Sequence, residues 1–340
     1  MTSESSEGRS PRTTSPRVSV VMPVINEERH LQAAVAQILD QDYDGQLEVV
    51  IAVAASTDRT AEVAAALANQ DTRVRVVGNP TGATPAGLNA AIGACSGDVV
   101  VRVDGHAMIP RDYVRTAVRI LQQTGADNVG GIMAAEGTTP FESAVARAMT
   151  SRFGVGGAAF HLGGQAGPAL TVYLGCFQRA ALERVGGFDE SMVRAQDWEL
   201  NLRIRSTGGV VWFTPELQVT YRPRGSLRAL ARQYHDYGRW RREVANRHPS
   251  TLSVRYLAAP IAVLAMALGV LTGGLAWLLG LDWAWLGLLP LSAYLVGDLL
   301  ASATSALKSP RAGLREAFWL PLVFPAMHIP WGLGFLRGPR

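Results

Sequence analysis

The chain has 340 residues, too many for one ordinary small domain and enough for a large core with an appendage. Charged residues make up 18% and hydrophobic ones 48%, yet residues 256–281 carry no charge, so the averages blend a soluble part with a membrane-like part. Two cysteines, Cys95 and Cys176, exclude a disulfide or zinc framework and suit buried thiols in a reducing compartment.

Residues 1–17 are Ser, Thr, Arg, Pro and Glu with almost nothing to bury, which predicts a disordered tail. The first apolar run, residues 18–25, is broken by Pro23 and followed at once by Asn26-Glu27-Glu28, which fits a buried strand and not a secretory signal. Leu31, Ala34, Val35, Ile38 and Leu39 then share one face of a helix. The pattern repeats with a strand over 47–53, an N-cap from Ser56-Thr57-Asp58 and a helix over 60–67. A short strand over 74–77 follows, then Thr84-Pro85 opening a helix that runs through 88–94.

Next comes Gly97-Asp98-Val99-Val100-Val101-Arg102-Val103-Asp104-Gly105-His106. This apolar run, stopped by an acid and an imidazole two residues apart, reads as a strand buried in a parallel sheet. Open α/β sheets place ligands at such a carboxyl end. If the chain stays extended, Asp104 and His106 point to the same side and can grip Mn2+ or Mg2+, leaving positions for water and phosphate oxygens. The alternative is a surface Asp in a turn beside a solvated His. Strands alternating with helices at these lengths predict right-handed βαβ units and a mostly parallel sheet flanked by helices. No G-x-G-x-x-G follows the first strand, which argues against a dinucleotide-dependent dehydrogenase.

Further on, the patterns predict an amphipathic helix over 111–122, a strand over 128–133 and a helix over 141–153. A glycine-rich connector over 154–167 is too long for a turn and reads as a mobile active-site loop. A strand over 173–176, a turn at Gly186-Gly187-Phe188-Asp189-Glu190 and a helix over 197–205 complete the soluble part. Arg222, Arg224, Arg228, Arg232, Arg239, Arg241, Arg242 and Arg247 crowd the approach to the first long apolar run. Their position marks a cytoplasmic membrane-surface collar against lipid, with no nucleic-acid partner expected.

Three apolar stretches follow, over residues 256–281, 283–307 with Asp298 as its interruption, and 317–336. A run of ~20 residues rising 1.5 Å each crosses the ~30 Å hydrocarbon core, so the first two are spans. Trp277, Trp283 and Trp285 near their junction suit an interface, and Lys308, Arg311 and Arg315 put the next loop back in the cytoplasm. The third stretch carries Pro321, Pro325 and Pro330 and fits a broken or re-entrant helix as well as a clean span.

Taken as an ordered set, several motifs resemble a family 2 inverting glycosyltransferase of the GT-A fold. They are Val20 to Glu28, Ser56-Thr57-Asp58, Asn79-Pro80, Leu88-Asn89-Ala90-Ala91 and Arg102-Val103-Asp104-Gly105-His106-Ala107. Then follow Gly175 before Phe177, the Gly186 to Glu190 turn, Gln196-Asp197-Trp198-Glu199-Leu200 and Tyr237-Gly238-Arg239-Trp240. The resemblance spans roughly residues 18–245. It implies a GT-A nucleotide-diphospho-sugar transferase domain over 18–222, a basic membrane-surface connector over 223–253 and a membrane region of two or three helices over 254–340.

The same resemblance implies that Pro23, Val24, Asn26 and Glu27, with Asn89 and Asp104, line the nucleotide-sugar. Asp104 with His106 takes the place of the D-x-D metal and diphosphate site. Asp197 stands where family members keep a catalytic base, with Glu199, Arg239 and Trp240 as acceptor or auxiliary residues. The implied reaction is inverting transfer from a nucleotide-diphospho-sugar to a polyprenyl-linked sugar at the cell membrane, with the catalytic domain cytoplasmic and the product an exopolysaccharide or another envelope glycan. Transfer to polyprenyl phosphate itself and an inactive envelope scaffold are the alternatives.

Two positions depart from the family. Val53-Ala54-Ala55 offers no acid to read a uracil, which shifts base recognition toward backbone groups, and Gln233 stands six residues before Arg239 instead of three, against processive synthesis. Simpler roles also fit: Asp197 as a helix N-cap, Glu199 as the i,i+4 partner of Arg203, and Trp240 as an interfacial anchor.

Overall fold

A computed structural model of the chain describes residues 15–307 and 314–339. Of the tail expected to be disordered over 1–17, residues 1–14 lie outside the described residues, as does the loop with Lys308 and Arg311, whereas Pro16 and Arg17 are held in place by Tyr43, Gln46 and Asp98. In chain order the elements are β1 (Val18–Val24), α1 (Leu31–Leu39), β2 (Leu47–Ala54), α2 (Thr60–Gln70), β3 (Val74–Asn79), α3 (Thr84–Ala94) and β4 (Val99–Arg102). Then come α4 (Tyr113–Thr124), β5 (Asn128–Ala135), α5 (Pro140–Met149), α6 (Arg152–Val155), α7 (Ala159–Leu162), β6 (Gly167–Pro168) and β7 (Tyr173–Gln178). The remainder is α8 (Arg179–Val185), α9 (Gln196–Ser206), β8 (Val211–Tyr221), α10 (Leu227–Arg247), α11 (Val254–Leu278), α12 (Leu289–Leu307) and α13 (Leu314–Arg337).

The strands form one sheet in the order β3-β2-β1-β4-β7-β5-β8-β6. The first four are parallel to one another, and β5 pairs parallel with β8. Strand β7 runs antiparallel between β4 and β5, and β6 closes the edge antiparallel to β8. Both faces of β1 are covered: Val18, Val20, Met22 and Val24 enter one core, and Val21 enters the core on the other side. That double burial is why the strand reads as a continuous apolar run rather than an alternating one. Helix α1 buries Leu31, Ala34, Val35 and Ile38, the face marked by their spacing.

Local structure departs from the expected pattern in three places. Strand β4 ends at Arg102, and the chain then turns, with the Ala107 N–H donating to the Asp104 carbonyl at 2.9 Å. Asp104 and His106 therefore sit on a turn and not on an extended strand. The expected helix over 141–153 is two helices: a capping box between Thr139 and Glu142 opens α5, and Ser151 restarts the chain as α6. The glycine-rich connector holds α7 and the edge strand β6.

Three helices, Val254–Leu278, Ala284–Leu307 and Arg315–Arg337, are long and apolar enough to cross a membrane. Despite Pro321, Pro325 and Pro330, α13 is one continuous helix, not a broken one. Its Leu320, Val323, Phe324 and Met327 are fully buried in a cluster with Ala144, Val145 and Met149 of α5 and Leu230 and Tyr234 of α10.

Candidate active site

Three loops are knitted together at the carboxyl ends of β1 and β4. At the end of β1, Asn26 adopts φ 54, a left-handed conformation that Asn tolerates better than most residues. Its side-chain Oδ1 accepts from the Thr57 N–H at 2.8 Å, and the Glu27 N–H donates to Thr60 Oγ1 at 2.7 Å. Asp58 accepts from the Glu28 and Thr60 N–H groups at 3.1 and 3.0 Å, so it clamps the β1–α1 loop while capping the entry to α2. The loop over 55–59 is thus tied to the β1 loop through polar groups.

Glu27 reaches across to the turn after β4, where one carboxylate oxygen pairs with His106 Nδ1 at 2.7 Å. That hydrogen bond raises the imidazole's pKa, against the opposing effect of desolvation. Gly105 is required by this close approach, since a Cβ there would lie 2.8 Å from Val24 Cγ1 and 3.1 Å from Glu27 Cγ.

Arg102 is the centre of the site. Its side chain, 7% exposed, donates from Nε and Nη2 to Asp104 Oδ1 at 3.1 and 2.9 Å and from Nη1 to Asp197 Oδ1. Burial alone would lower its pKa, but the two carboxylates outweigh that effect and raise it. Asp197 stands in the first turn of α9, where the helix dipole favours an acid, two residues after Ala195 at φ 60. Desolvation pushes the Asp197 carboxyl above its ordinary value, while Arg102 pulls it down. The carboxylate remains one-third exposed, so a substrate can reach it.

The other expected residues fall into two groups. Pro23 and the buried Val24 end β1, and Asn26 and Glu27 form the loop after it, which meets the turn of Asp104 and His106 through the Glu27–His106 pair. Asn89 has its amide committed elsewhere: it donates to the Phe188 carbonyl (2.8 Å) and Glu190 (3.0 Å) and accepts from the Phe188 N–H (2.8 Å), pinning the turn after α8. Glu199 is buried, with both oxygens held by Arg203 at 2.7 Å, which is the ion-pair role. Arg239 donates to the Gly338 carbonyl at 3.2 Å, and Trp240 is half-buried on the same helix. None of the hydrogen bonds among the described residues joins Arg239 or Trp240 to the Arg102 cluster.

The sequence reading missed Arg102 as a site residue, although an arginine inside a Val run of a buried strand signals a buried charge needing partners. Arg241, expected in the membrane-surface collar, is instead buried. That guanidinium lies between Trp198 (4.6 Å), the neighbour of Asp197, and Tyr256 (3.9 Å) at the start of α11, and it donates to the Thr251 carbonyl at 2.6 Å. Gln233, set apart above by its spacing from Arg239, donates to the hydroxyls of Tyr221 (2.9 Å) and Tyr237 (2.8 Å).

The sheet order β3-β2-β1-β4-β7-β5-β8-β6, with Asp104 and Asp197 meeting at Arg102 by the carboxyl end of β4, is that of a GT-A type fold. Residues 19–186 match the glycosyl transferase family 2 profile. Over 329 residues, 95% of each chain, the protein is 31% identical to the succinoglycan biosynthesis protein ExoA of Rhizobium meliloti (strain 1021). The chain belongs to glycosyltransferase family 2. It is also 23% identical over 65% of its length, and 71% of the relative's, to a Methanococcus voltae dolichyl N-acetyl-alpha-D-glucosaminyl phosphate 3-beta-D-2,3-diacetamido-2,3-dideoxy-beta-D-glucuronosyltransferase. Among solved structures, the mannosyltransferase PcManGT from Pyrobaculum calidifontis, in complex with GDP-Man and Mn2+, shares the fold. It has a TM-score of 0.59 and 21% identity, and the match covers 95% of this chain and 88% of that one.

Proposed function

We propose that the protein is a membrane-bound inverting hexosyltransferase that moves a sugar from a nucleotide-diphospho-sugar to a polyprenyl-linked sugar. The reaction takes place at the cytoplasmic face of the cell membrane, in exopolysaccharide or envelope-glycan synthesis. The observation that carries this reading is the Arg102 bridge, which sets Asp104 and Asp197 on opposite sides of one guanidinium. Likeness to ExoA supports the exopolysaccharide assignment, and the name of the Methanococcus relative supports a lipid-linked sugar as acceptor.

In this mechanism the acceptor hydroxyl attacks the anomeric carbon from the face opposite the diphosphate. The bond from that carbon to the diphosphate oxygen breaks, and the hydroxyl proton passes to Asp197. Arg102 fixes one carboxylate oxygen of Asp197, which leaves Oδ2 as the proton acceptor. The β1 loop from Pro23 to Glu27 lines the base and ribose through its backbone, and Asn89 contributes by holding the turn at residues 186–190.

The fit of a divalent ion rests on the donor chemistry. Among the described residues no three His, Cys, Asp or Glu side chains gather as a complete ligand set. Among the described residues Asp104 Oδ2 nonetheless has no hydrogen-bond partner, and Glu27 takes His106 Nδ1, which orients the ring as carboxylates behind metal-ligating histidines do. These two donors suit Mn2+ or Mg2+, which keep positions for phosphate oxygens and water. A bound ion supplies Lewis-acid stabilisation of the leaving diphosphate.

The test is the purified full-length protein in detergent with UDP-, GDP- and TDP-sugars, offered either polyprenyl phosphate or a polyprenyl-diphosphate sugar, with Mn2+ or a chelator. Metal-dependent transfer to the polyprenyl-diphosphate sugar is the expected product. Product from polyprenyl phosphate alone would move the acceptor assignment, and no transfer or donor hydrolysis under any condition would favour a scaffold.

A further inference from the structure

We propose that α13 does not cross the membrane: it lies beside α10 in the membrane–water interface, and the C-terminus returns to the side that holds the active site. This rests on the reading that the chain is membrane-bound, but not on its transferase activity.

Helices α10 and α13 run parallel and pack along most of their length. Leu230 and Tyr234 of α10 share a buried cluster with Val323, Phe324 and Met327 of α13. Further along, a Cβ on Gly238 would lie 2.0 Å from the Trp331 carbonyl, and one on Gly334 would lie 2.0 Å from the His235 carbonyl. The pairing continues to the ends, where Arg242 lies over the Phe335 ring at 5.5 Å and Arg239 reaches the Gly338 carbonyl. The two backbones are therefore in direct contact and cannot occupy different layers.

Helix α10 carries Arg228, Arg232, Asp236, Arg239, Arg242 and Glu243. Were α13 upright in the hydrocarbon, α10 would stand upright beside it with these groups at membrane depth, where ionised side chains are strongly disfavoured. Lying flat, the pair keeps the charges of α10 at headgroup level and gives lipid only the free face of α13.

That free face is well defined. At 100° per residue, the exposed Phe318, Leu322, Leu333 and Leu336 of α13 fall within about 60° of one another. The buried Leu320, Val323, Phe324, Met327 and Phe335 occupy the opposite side. A helix with one protein-covered face and one narrow apolar stripe suits immersion to the acyl boundary.

The remaining apolar helices agree. The foot of α11 is held by the stack of Arg241 on Tyr256, and the foot of α12 by Ser305 Oγ, 3.3 Å from Ser151 Oγ of the sheet-bearing part. Helices α11 and α12 thus leave from and return to the same body. Ion pairing of Arg147 in α5 with Glu316 (3.1 Å) holds the start of α13, and His328 Nε2 sits 2.8 Å from the Phe153 carbonyl at its middle. Charge, packing and both feet of the hairpin point to lipid headgroups and the upper acyl region as the partner of this face.

The experiment uses the full-length chain in native membrane vesicles and in liposomes with anionic lipid. Epitope tags at the N- and C-termini are probed in inside-out and right-side-out vesicles, and both are expected on the same side. Spin labels are placed at Leu322→Cys and Leu333→Cys, with Cys95 and Cys176 unlabelled because they are buried. Those two sites are 11 residues apart, about 16 Å along a helix. Equal, shallow immersion depths are expected for both. Tags on opposite sides, or depths differing by about 16 Å, would overturn the proposal alone. Recovery of the protein only in the soluble fraction would overturn it together with the membrane reading.

Discussion

Replacing Arg102 with Met is the most informative perturbation of the site, because it removes one cation from between two acids. The guanidinium is 7% exposed and bonds both Asp104 and Asp197, so its loss leaves two carboxylates facing each other unpaired. Removing one partner of a buried pair costs about 3–5 kcal/mol. Asp104 and Asp197 are 21% and 34% exposed, so water screens them, and we place the loss near the lower end, about 3 kcal/mol. At roughly 2–4 °C per kcal/mol that is a fall of about 6–12 °C in the unfolding midpoint in detergent. Arg102→Lys keeps the charge but has no planar fork to span two acids, so it should recover part of the stability and little of the transfer rate. Adding Asp197→Asn to Arg102→Met should cost less than it does in the wild type, with a coupling of about 1–3 kcal/mol in the cycle. An unchanged midpoint for Arg102→Met, or full transfer by Arg102→Lys, would refute the bridging role.

Asp104→Asn should weaken Mn2+ activation, since an amide holds a divalent ion poorly, and a metal titration of transfer would read this as a shifted midpoint. Asn89→Ala should destabilise by about 2–3 kcal/mol through the loss of its bonds to residues 188 and 190 while leaving donor affinity unchanged, as calorimetric binding would show. Gly334→Ala forces α10 and α13 apart against a 2.0 Å contact with a carbonyl and should cost about 1–3 kcal/mol or more, visible as a lower unfolding midpoint. Truncation after Asn246 strips α13 from Val145, Met149, Leu230 and Tyr234 and should give an aggregating product, which size-exclusion chromatography would reveal.

The parallel half of the fold was legible because its signals are local. Strands β1 to β4 are Val-rich runs bounded by Pro, Gly and capping residues, and α1 and α3 carry their own periodicity and proline signals. The insertion of β7 between β4 and β5 was not, since those pairings join partners as far apart as Val99 and Gln178 or Asn128 and Phe177 and leave no mark on either. Arg102 was hidden for the same reason: its partner Asp197 lies 95 residues away, and within its own strand it is one polar letter among valines. Asn89 was placed near the nucleotide by its motif, whereas its amide meets a carbonyl 99 residues later. Hydropathy also cannot tell a face that meets lipid from one that meets protein. The stretch over 317–336 therefore fitted a re-entrant helix as well as a span, and its Leu320, Phe324 and Met327 belong to a core shared with α5 and α10.

The role proposed for Asp197 is to take the acceptor's proton while other groups bind the donor. Asp197→Asn is nearly isosteric and retains an oxygen able to accept from Arg102, so the decisive measurement is donor affinity alongside single-turnover transfer in full-length wild type and variant. The account predicts an unchanged donor dissociation constant with transfer slower by about 10²-fold or more. Transfer at the wild-type rate with wild-type donor affinity would contradict it.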